Sequence, residues 1–297
     1  MNHPNLHILK RRSSRSRFKT LGEKMKKTII AAIVVLVLVV AAVGIYFTVL
    51  DKDDKDPNDV TFLIQDSQGV YFWIDGNGET VQDALVDAFS SYPEGTLVTS
   101  NYGISTLFGI GTTSSGGVYS WWVQYSWKND AWTYNSEDTM VELKSSDLDY
   151  FLVIYGAGGM EGIDLPEDIA KPSDAKVWDG NTSGVLFTIE SSTGLYFNIN
   201  GSGKTVYDSM VNANSKFNMG FIGSEDPSGK GIKSLFGLEM IQFGGVWSWW
   251  STYVLTDDGK NWESSFLYIG NMESSENAQV CLIYTDGTFE PSAPVHE

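Results

Sequence analysis

The sequence predicts an α+β protein, with an N-terminal transmembrane helix followed by two tandem β-grasp-like (ββαββ) domains. Three observations predict it. Residues 28–50 (TIIAAIVVLVLVVAAVGIYFTVL) hold no charge and no proline. The rest of the chain matches itself at an offset of 125 to 130 residues. Each copy reads, in order, as two short alternating runs, an amphipathic helix, a tryptophan-rich strand and a closing strand.

At 1.5 Å per residue the 28–50 run is long enough for a hydrocarbon core of about 30 Å. Nine lysines and arginines precede it, against Glu23 alone among the acids, and Asp51-Lys-Asp-Asp-Lys-Asp56 follows. Positive residues stay inside, so the expectation is a single-pass cell-membrane protein. Residues 1–27 form its basic cytoplasmic segment, 51–59 an acidic linker, and everything further is extracytoplasmic. A cleaved signal peptide competes, although its apolar region is usually about 7–15 residues. Met25-Lys-Lys also resembles a translation start, which leaves Met1 and Met25 both open.

Of the 20 basic and 37 acidic residues, nine and one fall in residues 1–50. The remaining 11 and 36 give the region beyond the apolar run a net charge of −25. That field repels nucleic acid and anionic lipid. Cys281 is the single cysteine, so no intramolecular disulfide forms, and His3, His7 and His296 all stand near the ends. These counts argue against Ser-His-Asp and Cys-His nucleophiles and against most zinc sites. The acidic 51–59 segment does not fit an EF-hand loop, because Asp56 stands where glycine is needed. No metal site is expected.

The repeats run over residues 60–157 and 184–287, with a linker at 158–183 and a tail at 288–297. Val60–Gln65 with Val70–Asp75, and Val185–Glu190 with Leu195–Asn200, read as β-hairpins joined by turn residues. Asp75-Gly-Asn-Gly and Asn200-Gly-Ser-Gly then read as turns rather than nucleotide loops, since the third glycine and the lysine–serine pair are missing. Thr80-Val-Gln-Asp83 and Thr205-Val-Tyr-Asp208 carry the helix-start pattern, in which the threonine oxygen accepts an orphan amide. Val81, Ala84, Leu85 and Ala88 recur at helical spacing, as do Val206, Met210, Ala213 and Phe217. A glycine-rich connection leads to GGVYSWWVQY (116–125) in one copy and GGVWSWWSTY (244–253) in the other.

Side chains alternate along a strand, so Trp121 and Trp122 face opposite ways, as do Trp249 and Trp250. Ser120 and Gln124, like Ser248 and Thr252, share a face with Trp122 and Trp250, which makes these two the expected exposed members. The candidate ligand-binding residues are Trp121, Trp122, Tyr125 and Trp132 in the first copy, and Trp249, Trp250, Tyr253 and Trp262 in the second. Asn181-Thr-Ser and Asn200-Gly-Ser are candidate glycosylation sites.

Thr80 to Leu85, Gly103 to Gly109, Trp121 to Tyr125 and Tyr150 to Tyr155, with Thr205 to Met210, Gly231 to Gly237, Trp249 to Tyr253 and Cys281 to Tyr284, resemble the transcobalamin-like C-terminal domain family. The resemblance covers both repeats but neither the apolar segment nor the linkers. It implies a β-grasp module of microbial surface proteins, and cobalamin as a ligand to weigh, although no helical partner domain stands in this chain. The residues themselves call for no cofactor. The functional expectation is a membrane-anchored, non-catalytic surface protein with two binding or adhesion repeats, whose partner is a glycan, a protein or a small ligand. The alternatives are a corrinoid or other small-ligand receptor, and a carboxylate-dependent glycan-acting enzyme.

Overall fold

The computed structural model describes residues 56–286, apart from 102, 117, 137, 159–162, 168, 257 and 266, together with residue 294. The described residues fall within one compact unit. They form eighteen strands but two α-helices, of 8 and 12 residues, so the fold is mostly β. This corrects the expected α+β class of ββαββ domains behind a transmembrane helix. No helix among the described residues is long and apolar enough to cross a membrane. The membrane, single-pass and transmembrane-helix readings therefore have no support there, and the segment that suggested them, residues 28–50, lies outside the described residues.

Repeat 1 begins with the hairpin β1 (Asp59–Gln65) and β2 (Tyr71–Asn77), followed by helix α1 (Val81–Ala88). The glycine-rich connection, which has no long alternating pattern, folds into β3 (Leu97–Ser100), β4 (Gly103–Leu107) and β5 (Ile110–Gly111), a small sheet of its own. β6 (Thr113–Ser115), β7 (Val118–Lys128), β8 (Ala131–Tyr134) and β9 (Tyr150–Gly158) complete the repeat. The main sheet has the order β2-β1-β9-β7-β6, with β8 also on β7, and β1 runs parallel to β9. These connection strands, unforeseen in the sequence, are what turn the expected arrangement into a predominantly β one.

Repeat 2 follows the same plan. Its elements are β10 (Val185–Glu190), β11 (Tyr196–Gly201), α2 (Val206–Phe217), β12 (Ile222–Asp226), β13 (Gly229–Leu235), β14 (Leu238–Glu239), β15 (Ile241–Phe243), β16 (Val246–Leu255), β17 (Trp262–Ser265) and β18 (Gln279–Asp286). The main sheet reads β11-β10-β18-β16-β15 with β17 on β16, and β12-β13-β14 form the small sheet.

Each helix starts where its threonine directs. Thr80 Oγ1 accepts from Asp83 N–H and Asp83 Oδ2 accepts from Thr80 N–H, closing a capping box. Thr205 and Asp208 repeat it. The helices bury Val81, Ala84, Leu85 and Ala88, and Val206, Met210 and Ala213, against the inner sheet faces. Gly76 and Gly201, expected in turns, are the strand glycines that let the helices come this close. A Cβ at Gly76 would lie 1.9 Å from Ala84 O, and one at Gly201 would lie 1.9 Å from Ser209 O.

One apolar core cluster takes residues from both repeats. A separate cluster lies on the outer face of sheet 1, where Leu63, Trp73, Val123, Tyr125 and Leu152 are covered by linker residues including Ile163, Ile169 and Val177. The linker also bonds to that face. Tyr125 OH donates to Ile163 O (2.7 Å) and accepts from Ile163 N–H (3.1 Å), and Trp132 Nε1 donates to Ala170 O (2.9 Å).

Candidate functional site

The tryptophan strands place their side chains differently from the sequence expectation. Trp122 is 2% exposed and Trp250 8%, so the pair expected to face solvent belongs to the core. The face they share with serine and glutamine is covered by the small sheets. Trp122 Nε1 donates to Ile110 O (2.8 Å) and Tyr155 OH to Gly111 O (3.1 Å). Trp250 Nε1 donates to Leu238 O (3.0 Å) and Tyr284 OH to Glu239 O (2.9 Å) in the same pattern. Both of these buried indoles keep their N–H bonded, and a backbone carbonyl in the connection supplies each acceptor.

Trp121 and Trp132 are half-buried and Tyr125 is buried on the outer face beneath the linker, so the first copy offers no open platform there. In the second copy Tyr253 is buried, while Trp249 and Trp262 are half-buried. Tyr253 OH has no hydrogen-bond partner, and burial beside Cys281 and Glu190 pushes its ionisation up to about 12. The Cys281 thiol is likewise pushed up by burial. Asn181 is exposed. Asn200 is buried, and its Nδ2 donates to Ser183 O at 3.0 Å, which removes it from the surface a glycosylating enzyme would need.

The structure instead brings aromatic side chains of the two repeats together. β2 and β11 are the edge strands of their main sheets, and they meet through Phe72 and Phe197, whose rings stack at 5.0 Å. Tyr71 packs edge-on against Phe236 (5.4 Å), and Tyr196 packs edge-on against Phe108 (5.1 Å). Positions 71 and 196, 72 and 197, and 108 and 236 correspond in the two copies, so the contact is two-fold in character. Phe108 and Phe236 both hold φ near +54°, a left-handed conformation unusual for a bulky residue, at the tips of the turns that aim them across the interface.

A cleft of about 1050 Å³ opens beside this contact. Tyr71, Trp73, Tyr92, Trp178, Tyr196 and Trp262 are among its aromatic lining residues, and Asp75, Lys176 and Asp179 are the charged ones among the described residues. Asn198, Gln279, Thr188 and Ser91 add neutral polar groups. Among the eight aromatic candidates from the sequence, Trp262 alone lines it. Trp178 escaped the sequence reading because it sits in the linker at 158–183, outside both repeats. It is pinned by Nε1 donating to Asn181 O (3.1 Å). The phenols of Tyr92 and Tyr196 are both held above the ordinary tyrosine range, chiefly by burial.

A second hollow of about 680 Å³ runs past the β1–β2 turn. There Asp66 Oδ1 accepts from Gln68 and Val70 N–H (2.9 Å each), and Oδ2 accepts from Thr193 Oγ1 of the other repeat (2.8 Å). Burial raises the Asp66 carboxyl above the usual range despite these bonds. No group of histidine, cysteine, aspartate or glutamate among the described residues is arranged to hold a metal ion. No protein-family model matches the sequence, and a search of curated proteins finds no match.

Proposed function

We propose that this protein is a binding protein without chemical turnover, and that its ligand lodges in the cleft between the two repeats. The observation that carries the reading is the cleft itself. It is concave, mostly apolar, lined by buried and half-buried aromatics with a few polar groups, and set at a junction of two repeats, where small-molecule sites concentrate. The three histidines, His3, His7 and His296, stand near the ends of the sequence and outside both repeats, which favours binding over acid–base chemistry. A corrinoid in the same cleft is the second reading, supported by the resemblance to the transcobalamin-like family and by the cleft's size.

The test is a thermal-shift screen of the wild-type chain and of Gln279→Trp, which fills the cleft from an exposed position. A bound ligand stabilises the native state by mass action, so a hit raises Tm in the wild type and not in the filled variant. Hits that survive the filling would overturn the cleft as the site. Conversion of a hit to product would overturn the non-catalytic reading.

A further inference from the structure

We propose that the cleft takes a neutral oligosaccharide, an inference that rests on the cleft being a binding site. Three features lead there. The first is a pair of half-buried indoles. A pyranose ring has an apolar, weakly positive C–H face, which matches the negative face of an aromatic ring. Trp178 is held by its N–H bond to Asn181 O, within a turn that Asp179 Oδ1 closes by accepting from Asn181 N–H (2.9 Å). A ring already fixed in place loses little freedom when a sugar stacks on it. Trp262 is distinguished by its counterpart. In the first repeat Trp132 gives its N–H to Ala170 O under the linker. Trp262 makes no such bond among the described residues and lines the cleft instead.

The second feature is the polar complement. A sugar hydroxyl is donor and acceptor at once, and amide and hydroxyl side chains answer in both senses. Asn198 Oδ1 accepts from Thr188 Oγ1 (2.9 Å), which sets the amide and leaves its NH₂ as a donor. Gln279 and Ser91 are exposed.

The third feature is charge. Among the described residues the lining holds one lysine against two aspartates and no arginine, within a strongly acidic chain. Phosphates, nucleotides and uronates meet a repelling field there, and a neutral chain of sugars does not.

Isothermal titration of the full chain decides it. The probes are the hexasaccharides of β-1,4-glucose, α-1,4-glucose and β-1,4-N-acetylglucosamine, with trigalacturonate as the anionic counterpart and cyanocobalamin as the non-sugar. At least one neutral hexasaccharide is expected to bind. Trp178→Ala and Trp262→Ala are expected to weaken it roughly tenfold or more, whereas Phe243→Ala, on an exposed hairpin away from the cleft, leaves it unchanged. Circular dichroism confirms the fold of each variant, and Trp178→Phe and Trp262→Phe, which keep a ring, should retain part of the affinity. If trigalacturonate or cyanocobalamin binds, is weakened by Trp178→Ala, and no neutral sugar binds, the sugar class is overturned and the cleft stands. Neutral sugars that bind equally well to both alanine variants overturn the cleft and the class together. No heat from any probe overturns the class.

Discussion

Phe72 lies almost parallel to Phe197, its own counterpart in the other repeat, with ring centroids 5.0 Å apart and planes inclined by 14°. Each ring is buried, so the pair joins the two halves of one core. Phe72→Ala should cost about 3–5 kcal/mol in denaturant unfolding. The double variant Phe72→Ala/Phe197→Ala should cost less than the sum of the singles, by about 0.5–1.5 kcal/mol, because each single change already removes the shared contact. Strict additivity would mean that the rings do not pair in solution.

Tyr125 and Tyr253 occupy equivalent positions but have different hydroxyl environments. Tyr125 OH makes two bonds to the linker backbone at Ile163, and Tyr253 OH is buried without a partner. Tyr125→Phe should therefore lose about 1–2 kcal/mol, while Tyr253→Phe should be neutral or stabilising by up to about 1 kcal/mol. Equal losses in urea titrations of the two variants would contradict this assignment.

Asp66 makes stability depend on pH. Burial raises its folded carboxyl above the unfolded value, so the native state holds the proton more tightly. Its contribution is fully present below the unfolded value of 3.8 and is lost as pH rises through the raised folded value. Asp66→Asn keeps acceptors for Gln68 and Val70 N–H and offers Thr193 an N–H in place of an acceptor. Thr193 can then turn its hydroxyl toward Ser191, 2.7 Å away. The difference in stability between variant and wild type should grow in the variant's favour across that window, measured by urea titration at several pH values. A pH-independent difference would show that Asp66 titrates alike in both states.

Gly76→Ala should be among the most damaging single-methyl additions to this chain. The new Cβ would meet backbone at Ala84 O, which cannot swing aside, so the helix must lift from the sheet at a cost of about 1–3 kcal/mol or more. Gly69→Ala, at φ +88° with open space around it, should cost only about 1 kcal/mol from backbone strain. Thermal unfolding of the two variants checks the order.

The sequence showed the parts of this fold that depend on local chemistry. The hairpins followed from alternation and turn residues, and the helix starts from threonine and aspartate three apart. The small sheets did not show, because strands such as Ile110–Gly111 and Leu238–Glu239 are too short to carry a period. That omission misplaced Trp122 and Trp250. Serine and glutamine beside a tryptophan suggest an open face, but Gln124 packs so closely on Gly103 of the small sheet that a Cβ there would lie 2.3 Å from its Nε2. The cleft was illegible for a different reason. Tyr71, Trp178 and Tyr196 are brought together by how two repeats meet, and no periodicity within either repeat encodes that.

The crossed contacts of Tyr71 with Phe236 and Tyr196 with Phe108 have a consequence for the symmetry of the chain. Every group needed on one side of that contact has its counterpart in the same repeat. A single repeat thus carries both halves of the joint, one tyrosine and one phenylalanine. The seam is therefore the intramolecular counterpart of a homodimer contact, made lopsided by the linker and by the differences between the two halves.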